Sequence, residues 1–432
     1  MISERDLVRK ISLRLIPFMF LLYIVSYLDR VNVSFASLQM NTALGFSPQI
    51  YSLGAGIFFI AYFIFEVPSN LILHRVGARL WITRIMITWG IISSAMMFVK
   101  GPTSFYVLRF LLGMAEAGFF PGMILYLTYW FPTDARGRAV GRFMTATAIA
   151  GVIGSPISGL LLQLNGVAGL GGWQWLFLIE GLPSILLAFV TFAYLPDGPA
   201  KASWLSAEEK KWIADRLEHE RAGNSGQQHS STRAALSSGR VWTFAAIYFT
   251  IVMSFYGVTF WLPQIVKAFS GMSDFLVGCL AAIPWTAATV CMILTSKHSD
   301  VMRERRWHVA LSAAAGAAGL ITAGVTTNPA LELAALCLAA AGIWGTLGPF
   351  WAMSSESLAG TGAAAGIALI NSVGNLGGFA GPYLIGWVRA HTNSFMWGLV
   401  VLALILIVGA VVTLATRKPS SRIASALNAA VD

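Results

Sequence analysis

Residues 12–37 read SLRLIPFMFLLYIVSYLDRVNVSFAS. About 20 apolar residues in helical form cross a bilayer core of about 30 Å, and this stretch is long enough. It is continuous rather than alternating, so it is not a barrel strand. Nor is it a cleavable leader. It outruns a 7–15-residue apolar core, contains Asp29 and Arg30, and has no small-residue cleavage site after it. Eleven further segments share the pattern: 49–73, 81–99, 103–130, 138–162, 174–195, 241–268, 274–296, 307–326, 331–353, 362–388 and 394–416. Backbone groups in lipid must bond within their own segment, so the reading is an all-α membrane protein of twelve transmembrane helices. The composition agrees. Of 432 residues, 56% are hydrophobic and 11% charged, against about 25% charged in soluble domains. That excludes an ordinary soluble enzyme, a disordered chain and a disulfide scaffold. Cys279, Cys291 and Cys337 fall inside predicted spans and read as packing residues.

The formal net charge of +10 is a topology signal. Of the 29 Lys and Arg, 24 lie at the N-terminus, in alternate loops, in the 196–240 linker or in the tail. The opposite loops hold Lys100, Lys267 and Arg389, and Arg30 and Arg109 lie inside spans. The positive-inside rule places both termini and the linker in the cytoplasm. Nucleic acid is not needed to explain the charge. No His/Cys/Glu cluster suggests a metal, and no phosphate-binding loop suggests ATP, so no cofactor is expected.

The spans divide into a six-helix bundle over 1–196, a linker over 197–240, and a second six-helix bundle with a short tail over 241–432. In the linker, Ser206 and Glu209 form a capping box that predicts a short helix to about Arg221, with Trp212, Ile213 and Leu217 on one side. Residues 223–232 read as a flexible connector. The halves match at an offset of 226: Pro156 with Pro382, Gly151 with Gly377, Gly90 with Gly316, and the His74–Arg79 loop with Asp300–Arg305. A parallel repeat about an axis normal to the membrane is expected. The same offset carries Asp29, Arg30, Arg109 and Glu116 onto Phe255, Tyr256, Ala335 and Gly342. Charge is thus confined to the N-half.

Six ionisable residues lie at membrane depth: Asp29, Arg30, Glu66, Arg109, Glu116 and Glu180. Each costs at least about 2.5–3.5 kcal/mol at the centre of a helix, so function is the default reading. Arg109 and Glu116, seven residues apart, share a helix face about 10 Å apart along the axis. Glu66 and Glu180 read as structural. Glu66 is expected to meet a loop arginine, and Glu356 a loop basic residue. Tyr62, Tyr126, Tyr256, Trp261, Trp285 and Trp351 are cavity candidates, though such aromatics more often pack or sit at interfaces. Gly151, Gly154, Gly377 and Gly381 read as close-approach positions, with Pro156 and Pro382 as kinks.

Several motifs coincide in order: LYIVSYLDRVNVSFA (22–36), HRVGAR (74–79), RFLLGMAEAGFFPG (109–122), WFPTDARGRA (130–139) and WQWLFLIEGLP (173–183). In these the chain resembles the anion:cation symporter family of the major facilitator superfamily, whose bacterial members include permeases for tartrate, galactonate, phthalate and 4-hydroxyphenylacetate. The resemblance implies the two-bundle fold and a secondary transporter, not an enzyme, in a bacterial inner membrane. It implies proton-coupled uptake of an organic carboxylate by a monomer. Asp29 and Glu116 match the family's proton-coupling carboxylates. Arg30 and Arg109 match substrate-carboxylate positions, Tyr62 a substrate-site tyrosine, and Asn371 and Asn375 the C-half polar contacts. Arg75, Gly77, Arg79, Asp300 and Arg305 fall in the gating loops. His74 departs from the usual Asp there. The expected mechanism has Arg30 and Arg109 supporting ionised Asp29 and Glu116 until a substrate carboxylate takes over the arginines. A uniporter or exchanger of a sugar acid and a drug/proton antiporter are the alternatives.

Overall fold

The computed structural model describes residues 4–132, 143, 145–224, 236–358 and 363–416. Among these, eleven helical stretches are long and apolar enough to cross a membrane. In chain order, spans 1 to 6 are Glu4–Leu44, Pro48–Val76, Ala78–Phe98, Pro102–Thr128, Ala146–Leu164 and Gly172–Tyr194. Spans 7 to 10 are Gly239–Ser270, Asp274–Met302, Arg306–Val325 and Pro329–Ser357, and span 12 is Met396–Ala415. Span 11 is broken at Leu376 into Ala363–Asn375 and Gly377–Thr392. Neither piece alone has the length to cross. The start expected for span 5, with Arg136, Arg138 and Arg142, lies outside the described residues, as do most of 223–232 and the basic tail.

The chain forms twelve spans in two bundles. In the first, span 3 packs on span 6 and span 2 on span 4; in the second, span 9 packs on spans 10 and 12. Between bundles, span 2 packs on span 11 and span 5 on span 8. The 226 offset exchanges span 2 with span 8 and span 5 with span 11, so the two contacts are repeats of one another. Small residues make them close. A side chain at Gly278 of span 8 would collide with the Ser155 carbonyl of span 5, and one at Gly386 of span 11 with Ser52 of span 2; within the second bundle, Gly381 likewise brings span 11 against the Met253 carbonyl of span 7. Pro156 and Pro382 sit inside their helices at matching places.

The linker helix runs Ala207–Asn224 and begins with the expected capping box. Ser206 N donates to Glu209 Oε2 at 2.8 Å and Glu209 N to Ser206 Oγ at 3.2 Å. Ile213 and Leu217 are buried. Glu209 also takes Lys10 Nζ of span 1 at 2.8 Å, and Trp204 stacks on Trp130. This helix therefore rides on the first bundle. We call its end of the molecule the linker end and the opposite one the far end.

Candidate transport site

A cavity of ≈ 70 Å³ lies between the bundles at mid-depth. Span 1 contributes Tyr23, Tyr27 and Arg30, and span 2 contributes Tyr62. The second bundle answers with Tyr248, Phe255 and Tyr256 of span 7 and with Asn371 and Asn375 of span 11. Of the expected site residues, Arg30, Tyr62, Asn371 and Asn375 therefore share one wall-to-wall space. Tyr23, Tyr27 and Tyr248 were not anticipated. The first two were within reach of the sequence, since 23, 27 and 30 form one helical stripe through Arg30.

Arg30 joins the halves. Its Nε donates to Glu116 Oε1 at 3.1 Å and its Nη2 reaches the same oxygen. Its Nη1 donates to Tyr256 Oη at 3.0 Å. Residues 30 and 256 are the pair that the 226 offset makes equivalent, so the repeat axis passes close to this bond. Ser26 Oγ also donates to Glu116 Oε1 at 2.9 Å. Arg30 is 7% exposed, against 1% for Glu116, so the arginine is the member that faces the cavity. The Tyr62 and Phe58 rings lie 5.3 and 5.4 Å from its guanidinium carbon.

The expected pairing of both acids with both arginines is not what the structure shows. Asp29 turns away from Arg30, as adjacent helix residues must. It is held by neutral donors: Trp89 Nε1 at 2.9 Å, Ser93 Oγ at 2.6 Å and Ser184 Oγ at 2.5 Å. It thereby ties span 1 to spans 3 and 6. Arg109 does not reach Glu116. Its Nε and Nη2 donate to the backbone carbonyls of Gly54 and Ala55 in span 2, each at 3.1 Å. Spans 2 and 4 approach closely enough for this because position 113 is glycine, set directly against the Phe58 carbonyl. Nη1 of Arg109 is buried without a partner among the described residues. Arg109 shares the Phe58 ring with Arg30, at 5.1 Å, and also faces Phe260.

Arg109 and Glu116 do lie on one continuous helix, as their spacing predicts, and a joint follows it. The first half of span 4 ends at Glu116, and the second half, Phe119–Thr128, starts after Gly118. Gly118 has φ +86°, and a side chain there would strike Ser69. Ala117 N still donates to the Gly113 carbonyl at 3.0 Å, and the second half picks up with Gly122 N on the Gly118 carbonyl at 2.8 Å.

Glu66 does not meet a loop arginine. It accepts from Asn371 Nδ2 at 3.1 Å and lies 3.5 Å from Ser372 Oγ, across the bundle interface. Asn371 thus both lines the cavity and closes it on the linker side. Glu180 accepts from Ser158 Oγ at 2.6 Å, tying span 6 to span 5.

The two gating loops differ. Arg305 Nη1 donates to Asp300 Oδ1 at 2.6 Å and its Nε to Glu356 Oε1 at 3.1 Å, giving Glu356 its basic partner. In the first half, Gly77 makes the turn with φ +98°, and Arg79 N donates to Asp197 Oδ1 at 3.1 Å. Arg79 lies over Phe192, and Arg75 is exposed. Among the remaining aromatic candidates, Trp285 packs on Trp344 and Trp351 on Tyr248. Trp261 donates to the Pro382 carbonyl, and Tyr126 to the Pro196 carbonyl at the linker end.

Known proteins share this architecture. The sequence profile of the Major Facilitator Superfamily matches residues 19–382. A protein of Agrobacterium vitis named "Putative tartrate transporter" is 49% identical over 419 residues, covering 97% of this chain and 93% of its own length. The Escherichia coli K12 protein named "Inner membrane transport protein RhmT" is 40% identical, covering 95% of each chain. Among solved structures, a bacterial homologue of the human lysosomal transporter Spinster, inward-facing and unoccupied, superposes with a TM-score of 0.75 at 16% identity. It covers 95% of this chain and 97% of its own. The chain belongs to the Major Facilitator Superfamily, and it is a multi-pass membrane transporter rather than an enzyme.

Proposed function

We propose that this transporter takes up a small organic carboxylate together with protons, as a monomer, by alternating access of the cavity between its bundles. The linker end faces the cytoplasm of a bacterial inner membrane, as the 24 basic residues on that side favour. The observation that carries the reading is the Arg30 guanidinium in the cavity wall, bonded to Glu116 behind it and Tyr256 across from it. One group receives an anion and its neighbour can take a proton.

The coupling follows from geometry. Two Arg30 nitrogens that would grip a substrate carboxylate are both occupied by Glu116 Oε1. Arg binds a carboxylate best with two parallel donors, so substrate binding displaces Glu116. A buried charge stripped of its partner is costly. A proton on Glu116 removes that cost, so anion and proton bind cooperatively. Asp29, ringed by three neutral donors, is the second proton site in this reading. Arg109, off the cavity wall here, holds span 2 against span 4 and presents one unpaired N–H. Tyr62, Asn371 and Asn375 complete the substrate site. Relatives named for tartrate, at 49% and 50% identity, make that dicarboxylate the first substrate to try.

A second reading has some support. The cavity is walled by Tyr23, Tyr27, Tyr248 and Phe255, and a relative of Acinetobacter baumannii named "Quinolone resistance transporter" is 43% identical. An aromatic drug is therefore the competing ligand.

Proteoliposomes decide between them. Labelled tartrate, an aldonate, phthalate, an aromatic acid and a quinolone are offered with and without an inward proton gradient. Gradient-stimulated accumulation of a carboxylate is expected. In Glu116→Gln, uphill accumulation is lost while exchange of labelled for unlabelled acid survives. Gradient-insensitive uptake, or uphill uptake by Glu116→Gln, overturns the coupling.

A further inference from the structure

The far end holds a second cavity, ≈ 280 Å³, between the ends of spans 1, 7 and 11. Two of the three basic residues that the sequence places on that side, Lys267 and Arg389, line it, together with Gln264 and Asn41. They differ in how they are committed. Lys267 Nζ is held by Asp274 Oδ1 at 2.9 Å and by the Met272 carbonyl. Arg389 has no carboxylate partner among the described residues. Its Nη1 donates to Gln264 Oε1 at 2.5 Å, and Gln264 Nε2 passes the polarity on to Ser37 Oγ at 2.8 Å in span 1. Gln264 is itself buried, 8% exposed. The Trp261 and Phe395 rings hold the guanidinium at 5.4 and 4.3 Å. Asn41 lines the same cavity, although its Oδ1 is closed off from it, so the cation is the group the cavity presents.

A layer of packed aromatic rings stands between this cavity and the central site. Trp261 packs on Tyr51, whose Oη donates to the Phe260 carbonyl at 2.6 Å. Phe260 faces Arg109, and Arg109 shares Phe58 with Arg30. Three arginines thus stand in sequence from the far mouth to mid-depth.

We propose that this far-end vestibule is a reception site for small hydroxycarboxylates, in which Arg389, oriented by Gln264, takes the carboxylate before the anion passes inward. A free cation in a low-dielectric cleft raises the local concentration of anions and their on-rate. This inference deepens the carboxylate reading and rests on it for the identity of the ligand. The electrostatic part stands alone.

The test uses the full chain in lipid nanodiscs, with Cys279, Cys291 and Cys337 replaced by Ser and Thr42→Cys at the vestibule edge. Labelling rates are compared for anionic methanethiosulfonate ethylsulfonate and its cationic trimethylammonium counterpart. The anion-to-cation rate ratio is expected to fall about tenfold with Arg389→Gln and to hold with Arg389→Lys. Tartrate should slow labelling in the parent and much less in Arg389→Lys, because lysine lacks the two-pronged grip. A ratio indifferent to Arg389→Gln overturns the site. Protection by chloride as strong as by tartrate overturns the hydroxycarboxylate assignment. In proteoliposomes of known orientation, Arg389→Gln should raise KM about tenfold from the far side and leave KM from the linker side unchanged. Equal change on both sides overturns the reception role. Parent protein that carries no carboxylate overturns the transport reading, while the rate ratio still decides the vestibule.

Discussion

The inner faces of the two bundles occupy equivalent positions and do opposite chemistry. In the first bundle, positions 29, 30, 109 and 116 are Asp, Arg, Arg and Glu, all buried. In the second, positions 255, 256, 335 and 342 are Phe, Tyr, Ala and Gly. Phe255 stacks on Trp344 at 4.1 Å, and Tyr256 lies 4.4 Å from Phe59. The gating loops reverse the assignment: the ion triad Asp300–Arg305–Glu356 is in the second half, and its counterpart in the first half is a backbone contact to Asp197. Among the described residues the repeat thus preserves packing, while the mid-depth charges sit in one half and the loop ion triad in the other. A charge whose partner sits in the same bundle moves with that bundle. A lone hydroxyl on the other bundle can be released and remade as the bundles rock.

The largest break in this asymmetry is Arg30→Ala. It leaves Glu116 buried without its cation, a loss of about 3–5 kcal/mol. Initial uptake should fall to background and the unfolding temperature by several degrees. Adding Glu116→Gln should restore most of the stability and none of the uptake. Recovery of uptake in the double variant would remove Arg30 from the substrate site.

Tyr256→Phe tests the other side of the same bond. A hydrogen bond to a charged group is worth about 1.5–3 kcal/mol, so the unfolding temperature should fall by a few degrees, and KM should rise because the Arg30 guanidinium loses the group that orients it. An unchanged KM would reduce the second bundle to a passive wall.

Asn371→Ala unpairs Glu66 at the linker side of the cavity. A loss of about 1 kcal/mol there should raise labelling of a Leu347→Cys variant from the linker end about fivefold. Equal labelling would mean that this contact does not hold the linker side shut.

The smallest effect is at the Lys10–Glu209 pair, outside the membrane. The Lys10 hydrogen bond holds the Glu209 carboxyl below its usual range. A carboxyl depressed on folding stabilises above its unfolded pKa and loses that contribution as pH falls through the lower, folded value. Lys10→Ala should therefore lower the unfolding temperature slightly at pH 7 and not at all once Glu209 is protonated in both states. The pair is solvent-exposed, so the effect should stay under about 1 kcal/mol and shrink with salt.

The fold was legible because lipid allows few solutions. Twelve apolar runs, a polar linker and a biased set of basic loops leave little besides two bundles. The intramembrane charges were legible for the same reason, since each is expensive. What the sequence did not disclose is who pairs with whom. Asp29 and Arg30 are neighbours in the chain but point to opposite sides of span 1. Arg109 and Glu116 lie on one helix, yet the close approach of spans 2 and 4 at Gly113 sends Arg109 to the Gly54 and Ala55 carbonyls. Glu66 finds its partner 305 residues away in span 11, a contact that only the assembled interface creates. Tyr248 was hidden because aromatic residues are common in membrane helices, whereas Tyr23 and Tyr27 stand on the Arg30 stripe and could have been found from it.

The joint at Gly118 gives span 4 a mechanical character. A continuous helix resists bending along its whole length, but one interrupted by a left-handed glycine bends first at that point. Glu116 ends the half-helix just before that joint. A change in what surrounds it therefore acts where the least work bends the span, turning a local contact into a change of angle between two half-helices that each stay straight.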